Sequence, residues 1–193
     1  MAEKKRCEWV EGTFQQYVDY HDREWGVPVH DDRIHFEFLI LESAQAGLSW
    51  STILKKRESY REAFADFNPE KVALFDDSDV ERLMQNEGIV RYDKKIRSAI
   101  KNANAFLDVQ KEFGSFDKYI WDFVDHEPII NAPKTLTEVP AKTELSNRIA
   151  KDFKRRGFSF LGSTTIYAYL QACGLVNDHT TDCFRYQELT SGS

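Results

Sequence analysis

The segment Lys151-Asp-Phe-Lys-Arg-Arg-Gly157-Phe-Ser-Phe-Leu-Gly162-Ser-Thr-Thr-Ile-Tyr-Ala-Tyr-Leu-Gln-Ala-Cys173-Gly174 reads as two helices joined by a short turn with a glycine at each end. Leu145, Ile149 and Phe153 keep helical register up to Gly157, and the run Thr164–Cys173 stops at Gly174. Such a turn points the first backbone N–H groups of the second helix outward, where a phosphate can accept them and the helix dipole adds favourable potential. Lys151, Lys154, Arg155 and Arg156 against Asp152 leave a net +3 beside it. One reading is a helix-hairpin-helix on a DNA backbone, with Gly157, Gly162, Ser163 and Thr164 at the contact. The other is an ordinary helical hairpin with a solvated basic end, since Lys and Arg favour helix C-termini. Two similar basic groups occur at Gly88-Ile-Val-Arg-Tyr-Asp-Lys-Lys95 and Lys55-Lys-Arg57. Collected on one face, the three would make a phosphate footprint.

Outward from this hairpin, helix signals recur from about residue 30 onward and strand signals are scarce. Asp32–Ala46 is an apolar helix stopped by Gly47, and 49–64 carries Trp50, Ile53, Leu54, Tyr60 and Phe64 on one face. Asn68-Pro69 starts a short helix through Leu74, and Ser78-Asp-Val-Glu81 reads as a capping box for a helix closed by Gly88. Ile96, Ile100, Ala103 and Leu107 mark a long helix ending near Gly114, and Ser115 caps the next. Residues 127–141 hold three of the five prolines and form a connection; the tail Thr190–Ser193 is polar and frays. No solenoid repeat or Gly/Ser hinge divides the chain. The expected architecture is all-α, one unit over residues 1–193 with two lobes sharing a cleft.

Composition narrows the class. The chain has 193 residues, 41% hydrophobic and 13% aromatic, which excludes disorder. With 26 Lys plus Arg against 32 Asp plus Glu, the net charge of −6 argues weakly against nucleic-acid binding, so charge placement must decide. No apolar stretch is long enough for a membrane helix, and the opening residues lack an apolar signal core. Three cysteines are too few and odd in number for a disulfide scaffold, which favours free thiols or metal ligation in the cytoplasm.

His179-Thr-Thr-Asp-Cys183 sets a His and a Cys four apart, and Cys7 precedes His21 by fourteen. Together they make a Cys2His2 set joining the chain ends, though the spacing is not that of a zinc finger. Four protein ligands would leave no open position, so such a site would be structural. The competing reading makes Cys7 a small buried hydrophobe and the histidines hydrogen-bonded structural residues. Cys173 belongs to the core. The most informative chemistry lies in Leu41-Glu-Ser-Ala-Gln-Ala-Gly-Leu-Ser-Trp50, where a carboxylate interrupts an apolar run and Gln45 follows on the same helical face. Either Glu42 projects into a polar pocket or it is the solvent edge of its helix. Trp9, Tyr20, Trp25 and Trp50 supply flat faces close by in sequence; a carboxylate among aromatic walls would suit a cationic base.

These strings resemble the 3-methyladenine DNA glycosylase I family of the helix-hairpin-helix superfamily over nearly the whole chain. The resemblance rests on Cys7-Glu-Trp9, Tyr20-His-Asp-Arg-Glu-Trp-Gly-Val-Pro28, Glu42 with Gln45-Ala-Gly-Leu-Ser-Trp50, Leu54-Lys-Lys-Arg-Glu58, Lys154-Arg-Arg-Gly-Phe158 and Gln171-Ala-Cys-Gly-Leu-Val-Asn-Asp-His179. It implies one structural zinc ion held by Cys7, His21, His179 and Cys183. It also implies a flipped base read by Glu42, stacked on Trp50 and enclosed by Trp9, Tyr20 and Trp25. Related glycosylases place an aspartate after the hairpin helix; here Asn177 stands near that place, with Asp178 beside it. The implied reaction is hydrolysis of the N-glycosidic bond of 3-methyladenine in damaged double-stranded DNA, with free base as product, by a monomeric, monofunctional enzyme with no membrane role. Leu48 is a wedge candidate for the vacated stack, with a core leucine as the competing reading. The alternative function is a non-catalytic zinc-stapled DNA-binding module.

Overall fold

The structure, a computed structural model, describes residues 4–191. Its helices, in chain order, are α1 (Gln15–Arg23), α2 (Asp32–Gln45), α3 (Trp50–Ala63), α4 (Pro69–Val72), α5 (Asp77–Met84), α6 (Asp93–Phe113), α7 (Phe116–Trp121), α8 (Glu144–Arg155), α9 (Ser163–Ala172) and α10 (Phe184–Thr190). The only strands among the described residues are β1 (Ile129–Ile130) and β2 (Val176–Asn177), a parallel pair with Ile129 opposite Val176. It ties the proline-rich connection to the segment leaving α9. Among the described residues no helix is long and apolar enough to cross a membrane.

The hub is α2. Its residues from His35 to Ala44 are all buried, the acids Glu37 and Glu42 among them, so that stretch of the helix has no solvent face. It packs against α3, α6, α7 and α9. Asp31 starts it by accepting from the N–H groups of Arg33 and Ile34.

The hairpin that opens the sequence reading is α8, a turn and α9, packed together. Gly157 takes φ +94°, and two backbone bonds close the end of α8: Phe158 N–H to Phe153 O (3.0 Å) and Gly157 N–H to Lys154 O (3.2 Å). This is a Schellman closure, and its usual apolar contact is present as stacked rings of Phe153 and Phe158, 4.6 Å apart.

Several local expectations change. The box at Ser78–Glu81 is two residues late: Asp76 caps α5 by accepting from Ser78 and Asp79 N–H, and Asp79 reciprocates. A carboxylate two residues upstream is the stronger acceptor at a helix N-terminus, and it also takes the Ser78 hydroxyl (2.6 Å). Gly88 lies beyond α5, which ends at Met84; a Cβ there would lie 2.6 Å from Ser59. α4 stops at Val72 rather than Leu74, which is 82% exposed. The first thirty residues contain α1, and the C-terminal segment forms α10. Thr190, expected to fray, closes on the carbonyl of Tyr186 (2.8 Å), and residues 192–193 lie outside the described residues.

Several members of the basic groups are engaged internally. Arg155 and Arg156 both pair with Asp152, and Arg156 also pairs with Glu112 while lying over the Phe113 and Tyr119 rings. Arg57 is 15% exposed and joins Glu24 to Glu37. Lys56 donates to the carbonyl of Glu87, and Lys55 lies over Phe14.

Candidate active site

The C-terminal end of α2 opens onto a cavity of about 610 Å³, within the usual range for small-molecule pockets. Glu42 lines it, one turn before α2 ends. Ser49 caps α3 by accepting from Thr52 N–H, which sets Trp50 at the first position of that helix and on the cavity wall. α1 supplies Tyr17 and Tyr20, the chain on either side of α1 supplies Trp9 and Trp25, and α9 supplies Thr164, Thr165 and Gln171. Leu136, Val139 and Pro140 of the proline-rich connection complete it.

The rings form two contiguous groups. Tyr20 and Trp50 centroids lie 5.4 Å apart, with Phe38 stacked on Trp50 from behind. Trp9 meets Trp25 edge to face at 5.0 Å and Tyr17 at 5.4 Å. Against them stands Glu42, 3% exposed. Among the described residues nothing hydrogen-bonds its carboxyl, and burial alone pushes its pKa up to about 8. The Tyr20 hydroxyl is also pushed well up, first by burial and then by Glu42. Such a carboxyl lacks only a ligand that brings donors and positive charge.

Leu48 is 40% exposed on the turn after α2, next to Gly47 at φ +80°. Gln45 shapes that turn: its Nε2 donates to Leu48 O (2.8 Å), and Leu48 N–H donates to Gln45 O (2.7 Å). At the start of α9 no side chain caps the first turn. The Ser163 hydroxyl is taken up by Ser146 and Asn147, whereas Thr164 is exposed at the cavity rim. Asn177 and Asp178 do not line the cavity. Asn177 accepts from His179 N–H, and Asp178 is held by Tyr167 (2.5 Å), Gln171 (2.8 Å) and Asn131 (2.8 Å).

Cys7, His21, His179 and Cys183 converge, all buried, with their ligand atoms within 4.8 Å of one another. Cys7 Sγ lies 3.5 Å from His179 Nδ1, and Cys183 Sγ lies 3.5 Å from His21 Nε2 and 3.7 Å from His179 Nδ1. Zinc bonds of about 2.3 Å to sulfur and 2.0–2.1 Å to nitrogen at tetrahedral angles put S and N about 3.6 Å apart, so the donor set fits that ion. The remaining ring nitrogens have fixed partners: His21 Nδ1 faces Asp22 (2.8 Å), itself gripped by Arg6, and His179 Nε2 faces the carbonyl of Trp25 (3.0 Å).

Sequence reasoning missed Tyr17, Gln171 and the 136–141 wall. Tyr17 was readable, three residues before Tyr20 on one helical face. The wall was not, because a loop carries no periodicity.

The methyladenine glycosylase family model matches residues 9–186. The DNA-3-methyladenine glycosylase of Haemophilus influenzae is 50% identical over 178 residues, covering 92% of this chain and 96% of that protein. A crystal structure of 3-methyladenine DNA glycosylase I superposes with TM-score 0.90 at 49% identity, covering 93% of this chain and 98% of that one. A variant of such an enzyme, solved in complex with 3-methyladenine, gives TM-score 0.88 at 39% identity over 91% and 95%. With sequence and backbone agreeing over almost the full length, this chain belongs to the methyladenine glycosylase family.

Proposed function

We propose that the chain is a DNA glycosylase of base-excision repair that extrudes 3-methyladenine from double-stranded DNA and hydrolyses its N-glycosidic bond, leaving an abasic site. The observation that carries this reading is Glu42, buried without a hydrogen-bond partner in an aromatic cavity. The family membership and the 3-methyladenine complex of a relative support it.

Alkylation at N3 makes the base cationic within the nucleotide. Water attacks the anomeric carbon, the bond to the base nitrogen breaks, and its electron pair neutralises the departing base; the proton of the water passes to solvent. The leaving group needs no general acid. The protein must instead extrude the nucleotide, at a few kcal/mol, and exclude uncharged adenine. Glu42 accepts hydrogen bonds from the cationic base and stabilises it; Trp50 stacks on it; Trp9, Tyr20 and Trp25 enclose it. Leu48 fills the vacated stack. The N–H groups around Gly162, Ser163 and Thr164 take a phosphate, with Gly157 shaping the turn.

One zinc ion held by Cys7, His21, His179 and Cys183 supplies structure, clamping the chain ends and the pocket wall. Residues 1–193 act as one monomeric unit in the cytoplasm, two helical lobes sharing the cleft. No lysine lines the cavity among the described residues, in keeping with a monofunctional enzyme without Schiff-base chemistry. The test is release of free 3-methyladenine from methylated duplex DNA by wild type, Glu42→Gln and Trp50→Ala. Release by wild type, reduced in both variants, is expected; DNA binding without release by any of the three would favour a non-catalytic binding module.

A further inference from the structure

The helix α6 touches no part of the cavity, yet one of its faces grips both turns that the proposed function assigns to DNA. Lys95 and Asn102 are seven residues apart and so share that face. The Lys95 ammonium donates to the carbonyls of Ala44 (2.8 Å) and Ala46 (2.6 Å), the last turn of α2. These carbonyls have no partner further along the helix, because the chain leaves it at Ala46. The next two residues are Gly47 and Leu48. Two turns along α6, Asn102 holds Ser159 from both sides: its Nδ2 donates to Ser159 O (3.0 Å), and its Oδ1 accepts from Ser159 N–H (2.8 Å). Ser159 lies in the turn between α8 and α9. Tyr92, just before α6, adds an edge-to-face contact with Phe160 of the same turn. Lys95 and Asn102 act on backbone alone, so each fixes where a turn sits without engaging that turn's side chains.

We propose that Lys95 is a positioning residue for base extrusion, holding the Leu48 turn at a fixed place relative to the hairpin turn that Asn102 anchors on the same helix. Extrusion requires both turns to engage one duplex simultaneously, one at the backbone and one in the stack. Their spacing is then set by the length of α6 between residues 95 and 102, about 10 Å at 1.5 Å per residue. Releasing the carbonyls of Ala44 and Ala46 frees the Leu48 turn without removing any group that touches the base. The inference rests on the wedge role of Leu48.

The test compares wild type, Lys95→Met, Lys95→Arg and Leu48→Ala in two measurements. Extrusion is read from the fluorescence of 2-aminopurine beside an abasic-site analogue in duplex DNA, together with single-turnover release of 3-methyladenine. Pocket integrity is read from the dissociation constant for free 3-methyladenine. Lys95→Met is expected to slow release about tenfold to a hundredfold, the scale of an ångström-level misplacement. It should also weaken the 2-aminopurine signal, keep free-base affinity within about twofold, and add little in combination with Leu48→Ala. Lys95→Arg, which keeps a donor, should recover part of the loss. If Leu48→Ala extrudes normally, the wedge reading fails and this inference falls with it. If Leu48→Ala is impaired and Lys95→Met is not, or if Lys95→Met weakens free-base binding as much as release, the positioning role alone is overturned.

Discussion

The His179 ring meets Trp25 twice: Nε2 lies 3.0 Å from the Trp25 carbonyl oxygen, and the two rings stand edge to face at 4.5 Å. Trp25 in turn meets Trp9 at 5.0 Å, and Trp9 meets His21 at 5.1 Å. Two residues of the Cys2His2 cluster therefore support two walls of the cavity directly. Metal removal should be felt as lost base binding as well as lost stability. Dialysis against a strong chelator, or Cys183→Ser, is expected to lower Tm by about 10 °C, taking only a few kcal/mol of the clasp energy as net. It should weaken free 3-methyladenine binding in parallel, and zinc should restore both in the chelated wild type. One zinc per chain by elemental analysis checks the stoichiometry; a metal-free protein with unchanged Tm and affinity would refute the clasp.

Glu42 stays neutral in the folded protein to about pH 8 because burial opposes its charge, whereas its ordinary value is 4.5. A raised carboxyl pKa means the folded state binds the proton more tightly than the unfolded state. Below pH 4.5 the group is neutral in both states and costs nothing. Between 4.5 and about 8 the unfolded chain ionises first, and stability is lost as pH rises; above 8 the loss is complete. Glu42→Gln removes this dependence. The variant is expected to gain on wild type across that window by at most about 5 kcal/mol, from 1.36 kcal/mol per pKa unit. Urea unfolding of both proteins at pH 5, 7 and 9 measures it. A stability difference that does not change with pH would place the carboxyl in water.

The same proton governs activity. A cationic base is held by the ionised carboxylate, and the free enzyme carries that form in quantity only toward pH 8. Since kcat/KM reports the free enzyme's groups, it should fall about tenfold per pH unit below 8 and level off above it. Glu42→Gln should be slow and flat over that range. A wild-type profile flat from pH 6 to 8 would contradict the assignment.

What the sequence made legible follows from periodicity and local chemistry. The register of Leu145, Ile149 and Phe153 running into Gly157 was enough to place the end of α8, because a glycine stop is a local event. α2 was readable as a strongly apolar helix, but the burial of its acids Glu37 and Glu42 was not. Nor was the approach of Cys7 to His179, since 172 positions separate them; residue types suggested a Cys2His2 set, and the family resemblance strengthened that reading over the competing one. The pairing of Arg156 was hidden for a similar reason: Asp152 is local, but Glu112 arrives from α6 and cannot be seen in the segment itself. α1 escaped notice because its apolar face is made of tyrosines and one valine, and its partner is a helix thirty residues on. Lys95 looked like one more basic surface residue, since nothing local shows that the carbonyls of Ala44 and Ala46 lie within its reach.

Gly174 looked in sequence like a simple helix stop, and its φ of +70° agrees, but the structure assigns it a second constraint. A Cβ at this position would lie 2.3 Å from the backbone carbon of Val27 and 2.4 Å from the nitrogen of Pro28. That backbone cannot yield cheaply. Gly26 N–H is bonded to Gln171 O (2.9 Å) and Val29 N–H to Cys173 O (3.0 Å), so residues 26–29 are laced onto the end of α9. Trp25 leads directly into this lacing. Gly174→Ala is therefore expected to cost about 3 kcal/mol or more and to weaken base binding by displacing the Trp25 wall. Gly12 provides the control: it has the same φ of +70° with nothing within 4 Å of an added Cβ. Gly12→Ala meets only the left-handed backbone penalty, about 1–2 kcal/mol, and should leave base binding alone. Urea unfolding of both variants separates close approach from backbone conformation; equal losses at the two sites would mean the 26–29 segment moves aside freely and does not anchor the pocket.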